Sequence, residues 1–448
     1  MVEKPNLAFR RVYTLLAQTP MIHFQPGQPG AALRPSEVKP KLDRYLRRMY
    51  GNPIPKAWLV SDKTQALNYQ MRIIACGPDK CNGLTIRDCK AYFANMGNST
   101  DAKDLVFRDC MLEINCFVPD LLEYIDEHIG SFFVLHNFGT RQSKGFGGFL
   151  VEGCDSARYI RETVEQQCPH FFYTTLRQAP DTHTMLNHAY AVYTVLKNGI
   201  NLGRNRFIRG YSRQAFLAMT YEGQRVGSDK AFIKSSVLLS DRLHPNESRQ
   251  DYTSFTFIRA MLGLAEQYVF RDSIRNAGTR LIRDRRTGEM REDLNPLKVK
   301  VAHFEGTQEL SGSLQIPIES IEKAKGIQRF QSPILIKITP NRIFFILNDT
   351  WKEMLGKTFL LVKVDDYDNV MEQTAGDVKQ QLEHMPYIKT PDTFDPKAFV
   401  DGFVDFFNSP AIKQKLRAFP ERGTRPKPPA GYEMREAADL ILEQGGRA

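Results

Sequence analysis

The sequence has no apolar run near the roughly 18 residues that a helix needs to cross a bilayer. Its opening stretch, MVEKPNLAFRRVYTLL, puts an acid and a proline where a secretory leader carries an unbroken apolar block. The chain is therefore expected in the cytoplasm, with no membrane partner. Cysteine is sparse: seven residues, an odd number, confined to the span from Cys76 to Cys168. In a cytosolic chain this reads as reduced, partly buried thiols. No Gly-Lys-Ser/Thr opens a helix, no Gly-x-Gly-x-x-Gly follows a strand into one, and no His-Glu-x-x-His or Ser-His-Asp pattern exists. A Walker loop, a Rossmann dinucleotide site and the common hydrolase signatures are thus missing. There is also no fixed-period repeat.

What is present is an ordinary folded composition. The 448 residues are 42% apolar and 25% charged, which excludes wholesale disorder. At about 150 residues per domain, the length suggests two or three units. There are 61 Lys and Arg against 51 Asp and Glu, a formal charge of +10, and the sequence pI is near 9.1. The distribution says more than the total. Residues 34–48 hold six basic and two acidic residues, 197–213 five and none, 271–291 seven and three, whereas 361–405 hold four basic and ten acidic. A protein with one face for a phosphate backbone segregates charge in this way; an unevenly charged solvated surface does so too.

Along the chain, VYTLLAQTPMIHF reads as a strand broken at Thr19-Pro20, followed by the loop QPGQPG. In SEVKPKLDRYLRRMY, Val38, Leu42, Tyr45, Leu46 and Met49 recur at helical spacing, with Pro40 expected in the first turn. Strands are expected at Ala57–Val60, Tyr69–Ala75 and Leu105–Phe117, then a helix PDLLEYIDEHIG stopping at Gly130, a short strand SFFVLHN and a strand FLVEG. The order strand, helix, strands, helix, strand is that of a ferredoxin-like unit. Residues 155–300 carry helical periodicity (ARYIRETVEQQ, MLNHAYAVYTVLKNGI, FTFIRAMLGLAEQYVF) and two basic loops. Beyond Val299 strand patterns resume, with ILIKIT and RIFFIL flanking a turn at Pro340-Asn341. Phe394–Arg417 is helical, RGTRPKPPAG is a linker, and YEMREAADLILEQ is a final helix. The expected fold is α+β, with two ferredoxin-like (RRM-like) domains at 1–154 and 301–420, a basic helical insertion at 155–300, and a linker and helix at 421–448.

The chemistry concentrates in Gly139-Thr-Arg-Gln-Ser-Lys-Gly-Phe-Gly-Gly148, set between expected strands. Its glycines, Gly139, Gly145 and Gly147 among them, allow positive φ and let successive amides point at phosphate oxygens. Arg141 and Lys144 add charge-assisted bonds, and Phe146 offers a face to a base. The competing reading is a tight hairpin whose glycines serve only the turn.

Three collinear segments resemble the RAMP superfamily of CRISPR-associated RNA-binding proteins: LLAQTPMIHF with LRPSEVKPKLDRYL, then FGTRQSKGFGGF, then IQRFQSPILIKI. Their order is most similar to the two-domain capping subunit of type III-B (Cmr) effector complexes. The resemblance implies that Arg34, Ser36, Lys39 and Arg44 line a groove beside the Gly loop, with Arg329 and Ser332-Pro333 repeating the arrangement in the second domain. A loop-to-helix junction bearing Arg34, Ser36 and Lys39 offers free amides and cations to a phosphate on its own account, and a solvated amphipathic helix is its plain alternative. Ser332 serves equally as a turn residue before a strand.

The function expected is non-catalytic binding of guide RNA, and of target RNA, within a CRISPR type III-like ribonucleoprotein, with other effector subunits as partners and no cofactor. One alternative is a metal-independent RNA endonuclease processing guide precursors, with His23 or His136 as the base. The other is a zinc-stabilised interaction protein built on Cys76 and Cys81, whose x₄ spacing suits zinc, with Cys89, Cys110, Cys116, Cys154, Cys168 or His170 as further ligands. Cys110 and Cys116, alternating in an apolar strand, read as core residues. His183 and His188 are poorly spaced for one helix face, and Asp365, Asp366 and Asp368 read as a solvated acidic run rather than a Mg²⁺ site.

Overall fold

In the computed structural model of the chain, the described residues are 8–22, 33–61, 63–81, 105–176, 181–197, 199–203, 206–209, 211, 258–263, 267–270, 281–283, 290–292, 297–304, 306–310, 313–319, 331–363, 379, 387–418 and 435–445. The fold is mixed α+β with antiparallel sheets. It divides into two units: Met1–Tyr211 with Ile334–Asn348 and Pro396–Ala448, and Ser212–Pro333 with Asp349–Asp395. This division crosses the boundaries expected at 154, 300 and 420.

The first unit begins with β1 (Arg10–Ala17), which breaks at Thr19-Pro20 before the short β2 (Met21–Ile22). Helix α1 (Pro35–Tyr50) buries Val38, Leu42, Tyr45 and Leu46, the positions that recur in the sequence. Pro35 occupies the first helical position, so Pro40 falls in the second turn instead of the first. It is exposed there, and the carbonyl it cannot pair faces water. The strand expected at Ala57–Val60 is a single 3₁₀ turn, Lys56–Trp58. Strands β3 (Gln70–Cys76), β4 (Leu105–Val106) and β5 (Asp109–Asn115) follow, then α2 (Pro119–Leu135) and β6 (Phe149–Val151). One antiparallel sheet results, in the order β3-β5-β1-β6.

Gly130 does not stop α2. The position a Cβ would take is occupied by Cys154 Sγ and the Tyr159 hydroxyl, each 2.7 Å away, so glycine is there for close packing. The expected strand SFFVL is the last turn and a half of that helix, with Phe132, Phe133, Val134 and Leu135 all buried. An apolar run buried on every side has no period with which to declare itself helix or strand.

The second sheet of this unit uses β7 (Phe171–Thr175), the hairpin strands Ile334–Thr339 and Arg342–Leu347, and the short strand Glu443–Gly445. Its order is 334–339, 342–347, β7, 443–445, every pair antiparallel. Numbered along the chain, both sheets run second-third-first-fourth. Between their strands lie α1 and α2 in the first, and α4 (Thr182–Lys197) and the helices Pro396–Asn408 and Pro410–Arg417 in the second. A further helix, α3 (Ala157–Gln167), joins the halves and is capped by Ser156 Oγ accepting from the Tyr159 amide. The span 155–300 is accordingly not a helical insertion: besides β7 it contains strands Gly199–Gly203, Arg206–Arg209, Gln267–Phe270 and Leu297–Ala302. FFYTT is five residues between two strongly helical patterns and is buried along most of its length, so alternation never shows. Of the expected final helix, the described residues 435–436 are helical, Ala437–Asp439 is a 3₁₀ turn, and 443–445 is a strand, where a Cβ on Gly445 would overlap the Phe171 ring.

The second sheet is apolar on both faces. Phe172 and Phe345, paired across the strands, stack at 4.7 Å and meet Phe403 of the helix 396–408. The other face, with Phe171, Tyr173, Phe344 and Ile346, joins the core that holds Leu15, Leu112, Leu122, Phe133 and Leu150. In register with Phe344 stands Lys337, on that same inner face and fully buried. Its Nζ donates to the carbonyls of Phe133 (2.7 Å), His136 (3.1 Å) and Phe149 (3.1 Å) and to Asn137 Oδ1 (3.2 Å). The ammonium thus closes the C-terminus of α2, where carbonyls lack helical partners and the dipole is negative.

The second unit holds the antiparallel sheet 267–270, 297–302, 358–363, 387–389 and two hairpins, Leu281–Arg283 with Met290–Glu292 and Gln308–Leu310 with Ser313–Gln315. In it His303 Nδ1 lies 2.9 Å from the Thr358 carbonyl, and Trp351 packs edge-on against Phe394.

Replacing Lys337 by Met should destabilise the chain by about 3 kcal/mol or more, because each buried acceptor left without its donor costs about 1–3 kcal/mol. Urea unfolding measures this. An unchanged midpoint would mean that the cost of burying the ammonium cancels its bonds.

Candidate functional site

The loop 139–148 carries α2 into β6. It holds positive φ at Gly139 (+80°), Arg141 (+63°), Gly145 (+92°) and Gly147 (+68°). Its amides are spent inside the protein. Gly139 N donates to Glu37 Oε1 (2.5 Å), Thr140 N to the Ile22 carbonyl (2.9 Å), Gly147 N to that of Pro20 (2.9 Å) and Gly148 N to Thr19 Oγ1 (2.8 Å). Lys144 N and Gly145 N close turns onto the Arg141 and Gln142 carbonyls. An amide cradle for phosphate, as expected from the glycines, therefore does not form from these six groups. The close-approach glycines have structural work instead: a Cβ on Gly147 would overlap the Phe138 carbonyl, and one on Gly139 would sit 2.6 Å from Met21 Cγ. Ile336 N donates to the Ser143 carbonyl (3.2 Å), so the loop also covers the open edge of the strand 334–339.

Two of the loop's expected contact side chains point inward. Phe146 is 0% exposed and offers no face to a base; its ring fills the core. Lys144 Nζ lies 3.5 Å from the centre of the Tyr193 ring on α4, is buried, and has no hydrogen-bond partner among the described residues. Burial, with the Arg141 charge adding to it, pulls its pKa down to about 7. Arg141 is half-buried. Asn137, which the sequence did not single out, organises the loop: its Nδ2 donates to the Gln142 and Ile336 carbonyls, both at 2.8 Å, while Oδ1 accepts from Lys337. Lys337 has a sequence signal, a lone cation inside ILIKIT; Asn137 has none.

Helix α1 lies beside this loop and sorts its cations into two groups. Lys39 pairs with Asp43 (2.9 Å) and donates to the Leu67 carbonyl (2.9 Å). Lys41 reaches Gln142 Oε1 (2.6 Å), the Asn137 carbonyl (3.1 Å) and Glu37 (3.4 Å), and burial lowers its pKa. These two are tethers between α1, the loop and the chain after the 3₁₀ turn. Ser36, Arg44 and Arg48 are exposed and fall four and eight residues apart, on one face of the helix. Neither arginine has an ion pair among the described residues. Arg34 is the half-buried N-cap residue, without a side-chain capping bond. The contacts that join α1 to the Gly loop are those of Glu37 and Lys41; Lys39 turns to Asp43 and Leu67, and Ser36 and Arg44 are exposed.

The candidates for other chemistry fare differently. His136 Nδ1 lies 2.9 Å from the Phe132 carbonyl, under the Tyr45 and Phe132 rings. Burial, together with Lys41, Arg48 and Lys337, pulls its pKa down to about 4, far from a base poised near neutrality. Cys76 and Cys81 are half-buried free thiols, and burial raises the Cys76 pKa; Cys81 Sγ lies 3.6 Å from the Leu105 carbonyl. Among the described residues no three His, Cys, Asp or Glu side chains gather as metal ligands. Cys110 and Cys116 are core residues, and burial pushes the Cys110 thiol up to about 12. His183 meets Asn187, and His188 lies 3.4 Å from Glu436. His23, Cys89, Arg329, Asp365, Asp366 and Asp368 lie outside the described residues, as does most of the basic run 271–291.

Lys144 gives a pH-dependent test. Its folded pKa of about 7 lies below the ordinary 10.5, so between these values the unfolded chain holds more protons and stability rises with pH. Below pH 7 the folded chain bears the full cost of a buried ammonium. Lys144→Met should therefore be as stable as the parent or more so at pH 6. The advantage should shrink by about 1–3 kcal/mol by pH 9. A parallel pair of pH–stability curves would show that the ammonium is solvated. In the same assay Gly147→Ala should lose about 2 kcal/mol or more, and Gly153→Ala, with open space around it, clearly less.

Comparison with known proteins follows this geometry. Residues 9–200 match the Cmr1 N-terminal domain and residues 211–425 the Cmr1 C-terminal domain. No curated protein and no solved structure matches the chain. Among the described residues no helix is long and apolar enough to cross a membrane. The two family domains follow one another over most of the length, in keeping with the collinear RAMP segments. The chain belongs to the Cmr1 family, the two-domain RAMP proteins of type III-B CRISPR effector complexes.

Proposed function

We propose that the protein grips RNA by its phosphate backbone, without cleaving it, as a subunit of a type III effector complex. The observation that carries this reading is the sorting of cations on α1. Lys39 and Lys41 are consumed by internal partners, whereas Arg44 and Arg48 stand exposed on the face that also carries Ser36. Arg34 stands at the helix start, the Gly loop is anchored to the first turn through Glu37, and Arg141 lies on that loop. A helix whose inward lysines fix its position and whose outward arginines meet solvent is built to present charge to a polyanion. Guide and target would be read by base pairing, the protein supplying position. The loop's part is to hold α1, through Lys41 and Glu37, and not to wrap the phosphate itself.

The same reading includes the fold. Two sheets of identical strand order, each with helices after its first and third strands, support two ferredoxin-like halves. The second would be assembled from 171–211, 334–348 and 396–445, with the second unit inserted into it twice. Non-catalytic binding is favoured because the described histidine nearest the loop, His136, is buried and held well below neutrality.

Titrating single-stranded repeat RNA between 50 and 200 mM salt tests the proposal. Arg44→Glu with Arg48→Glu should weaken binding at least about tenfold and lower the log–log salt slope by about 1.4, two contacts at about 0.7 each. Lys39→Ala should change the melting temperature more than the slope. Unchanged affinity in the double variant would defeat the assignment of α1. Incubating the parent protein with labelled repeat RNA without metal should leave it uncut.

A further inference from the structure

The strongest feature outside the RNA reading is an aromatic pair in solvent. Phe117 is 83% exposed and Phe9 42%, and their rings stack at 5.5 Å with 21° between planes. The backbone locks them side by side, since Cys116 N donates to the Phe9 carbonyl (2.9 Å). Burying a phenyl ring is worth about as much as any single event in folding, so a fixed pair left in water marks a contact made elsewhere.

The charge that follows Phe117 is acidic, in contrast to the basic runs elsewhere in the chain. Among 61 lysines and arginines, none falls between Arg108 and Arg141. Phe117 stands immediately before α2, whose exposed positions are Asp120, Glu123, Asp126 and Glu127. Asp126 accepts from the Tyr13 hydroxyl (2.8 Å) and pairs with Arg11 (3.3 Å). Asp120, Glu123 and Glu127 have no ion pair among the described residues. The nearest strand cation, Arg10, is already paired with Glu113 (3.0 Å). Uncompensated carboxylates repel a phosphate backbone and an anionic membrane alike.

We infer that Phe9, Phe117 and the acidic face of α2 form a protein-docking surface. It would take a segment of a companion effector subunit that presents an apolar side chain flanked by lysine or arginine. The aromatic pair is the anchor; the carboxylates select a basic partner and speed its encounter. Family membership supplies the setting, a multi-subunit complex, but the surface is independent of the α1–RNA reading.

The full-length protein carrying Phe117→p-benzoylphenylalanine would be irradiated with each purified companion subunit of a type III effector, with single-stranded RNA present. The adduct should map to an apolar residue of a companion subunit, within a few residues of Lys or Arg. In binding titrations with that subunit, Phe117→Ser should weaken affinity at least about tenfold. Asp120→Lys with Glu123→Lys should do the same and remove most of the salt sensitivity. Both variants should keep the parent's melting temperature and RNA affinity. Should Phe117→Ser unfold the chain, the charge-reversal variant still decides. An adduct on RNA, an adduct on a second copy of this chain, or parental affinity in both variants would each overturn the inference. Loss of RNA binding by the arginine variants, or its persistence, leaves the outcome here unaffected.

Discussion

A single buried ammonium ties together the parts on which everything else depends. Lys337 leaves the middle of an apolar strand in one sheet and ends among four oxygens, three at or just beyond the C-terminus of α2 and the fourth the Phe149 carbonyl of β6. Nζ has three protons, so the four acceptors share them. Burial pulls the lysine's pKa down to about 7. The carbonyl cage acts in the opposite sense, favouring the charged form. Asn137 completes the arrangement by spending both ends of its amide, one on Lys337 and the other on Ile336 and Gln142. The strand 334–339, the end of α2 and the loop after it can therefore take up only one mutual position. The aromatic contacts of Phe171, Phe344 and Phe133 supply the area, and the polar cluster supplies the register.

How much of this was legible in the sequence differs by element. Helix α1, the break after β1 and the hairpin at Pro340-Asn341 stood out because one face is polar or a turn residue is obligatory. The misread elements share a physical cause. SFFVL and FFYTT are short stretches without a polar face to set a period, the terminal ILEQ segment is too short to show one, and each pairs or packs with chain far away in sequence. Gly130, read as a helix stop, and Gly445 are packing glycines: one admits Cys154 and Tyr159, the other Phe171. Glycine has one sequence appearance and several structural reasons, and only the neighbours decide between them.

The Gly loop shows the same limit at the site. Its four glycines, two cations and phenylalanine have the composition of a phosphate cradle, and composition alone cannot say which way an amide points. Six of its amides are satisfied within the protein, Phe146 is in the core and Lys144 lies against Tyr193. Lysine 144 is the least expected of these. Its ammonium has an aromatic face but no hydrogen-bond partner among the described residues, and a cation–π contact offsets desolvation by only about 2 kcal/mol. That is why its proton is held so weakly. The loop's Lys144 is therefore internal, and the exposed arginines of this region are on the neighbouring helix.

The two helices that cover the first sheet carry opposite signs. On α1 the exposed residues include Arg44 and Arg48, while on α2 they include Asp120, Glu123 and Glu127. The helices meet where Tyr50, near the end of α1, packs edge-on against Tyr124. A single surface of uniform positive charge would attract RNA anywhere, with no preferred orientation. Placing an acidic, aromatic-tipped helix beside a basic one makes the layer polar, so a polyanion is favoured on one helix and repelled from the other. Companion proteins compete with RNA for the surface of any subunit in a ribonucleoprotein, and opposite charges on adjacent helices remove that competition. On the proposed reading the total of +10 is a poor guide to what the protein binds, because the acidic face of α2 would repel the RNA that the exposed arginines of α1 would hold.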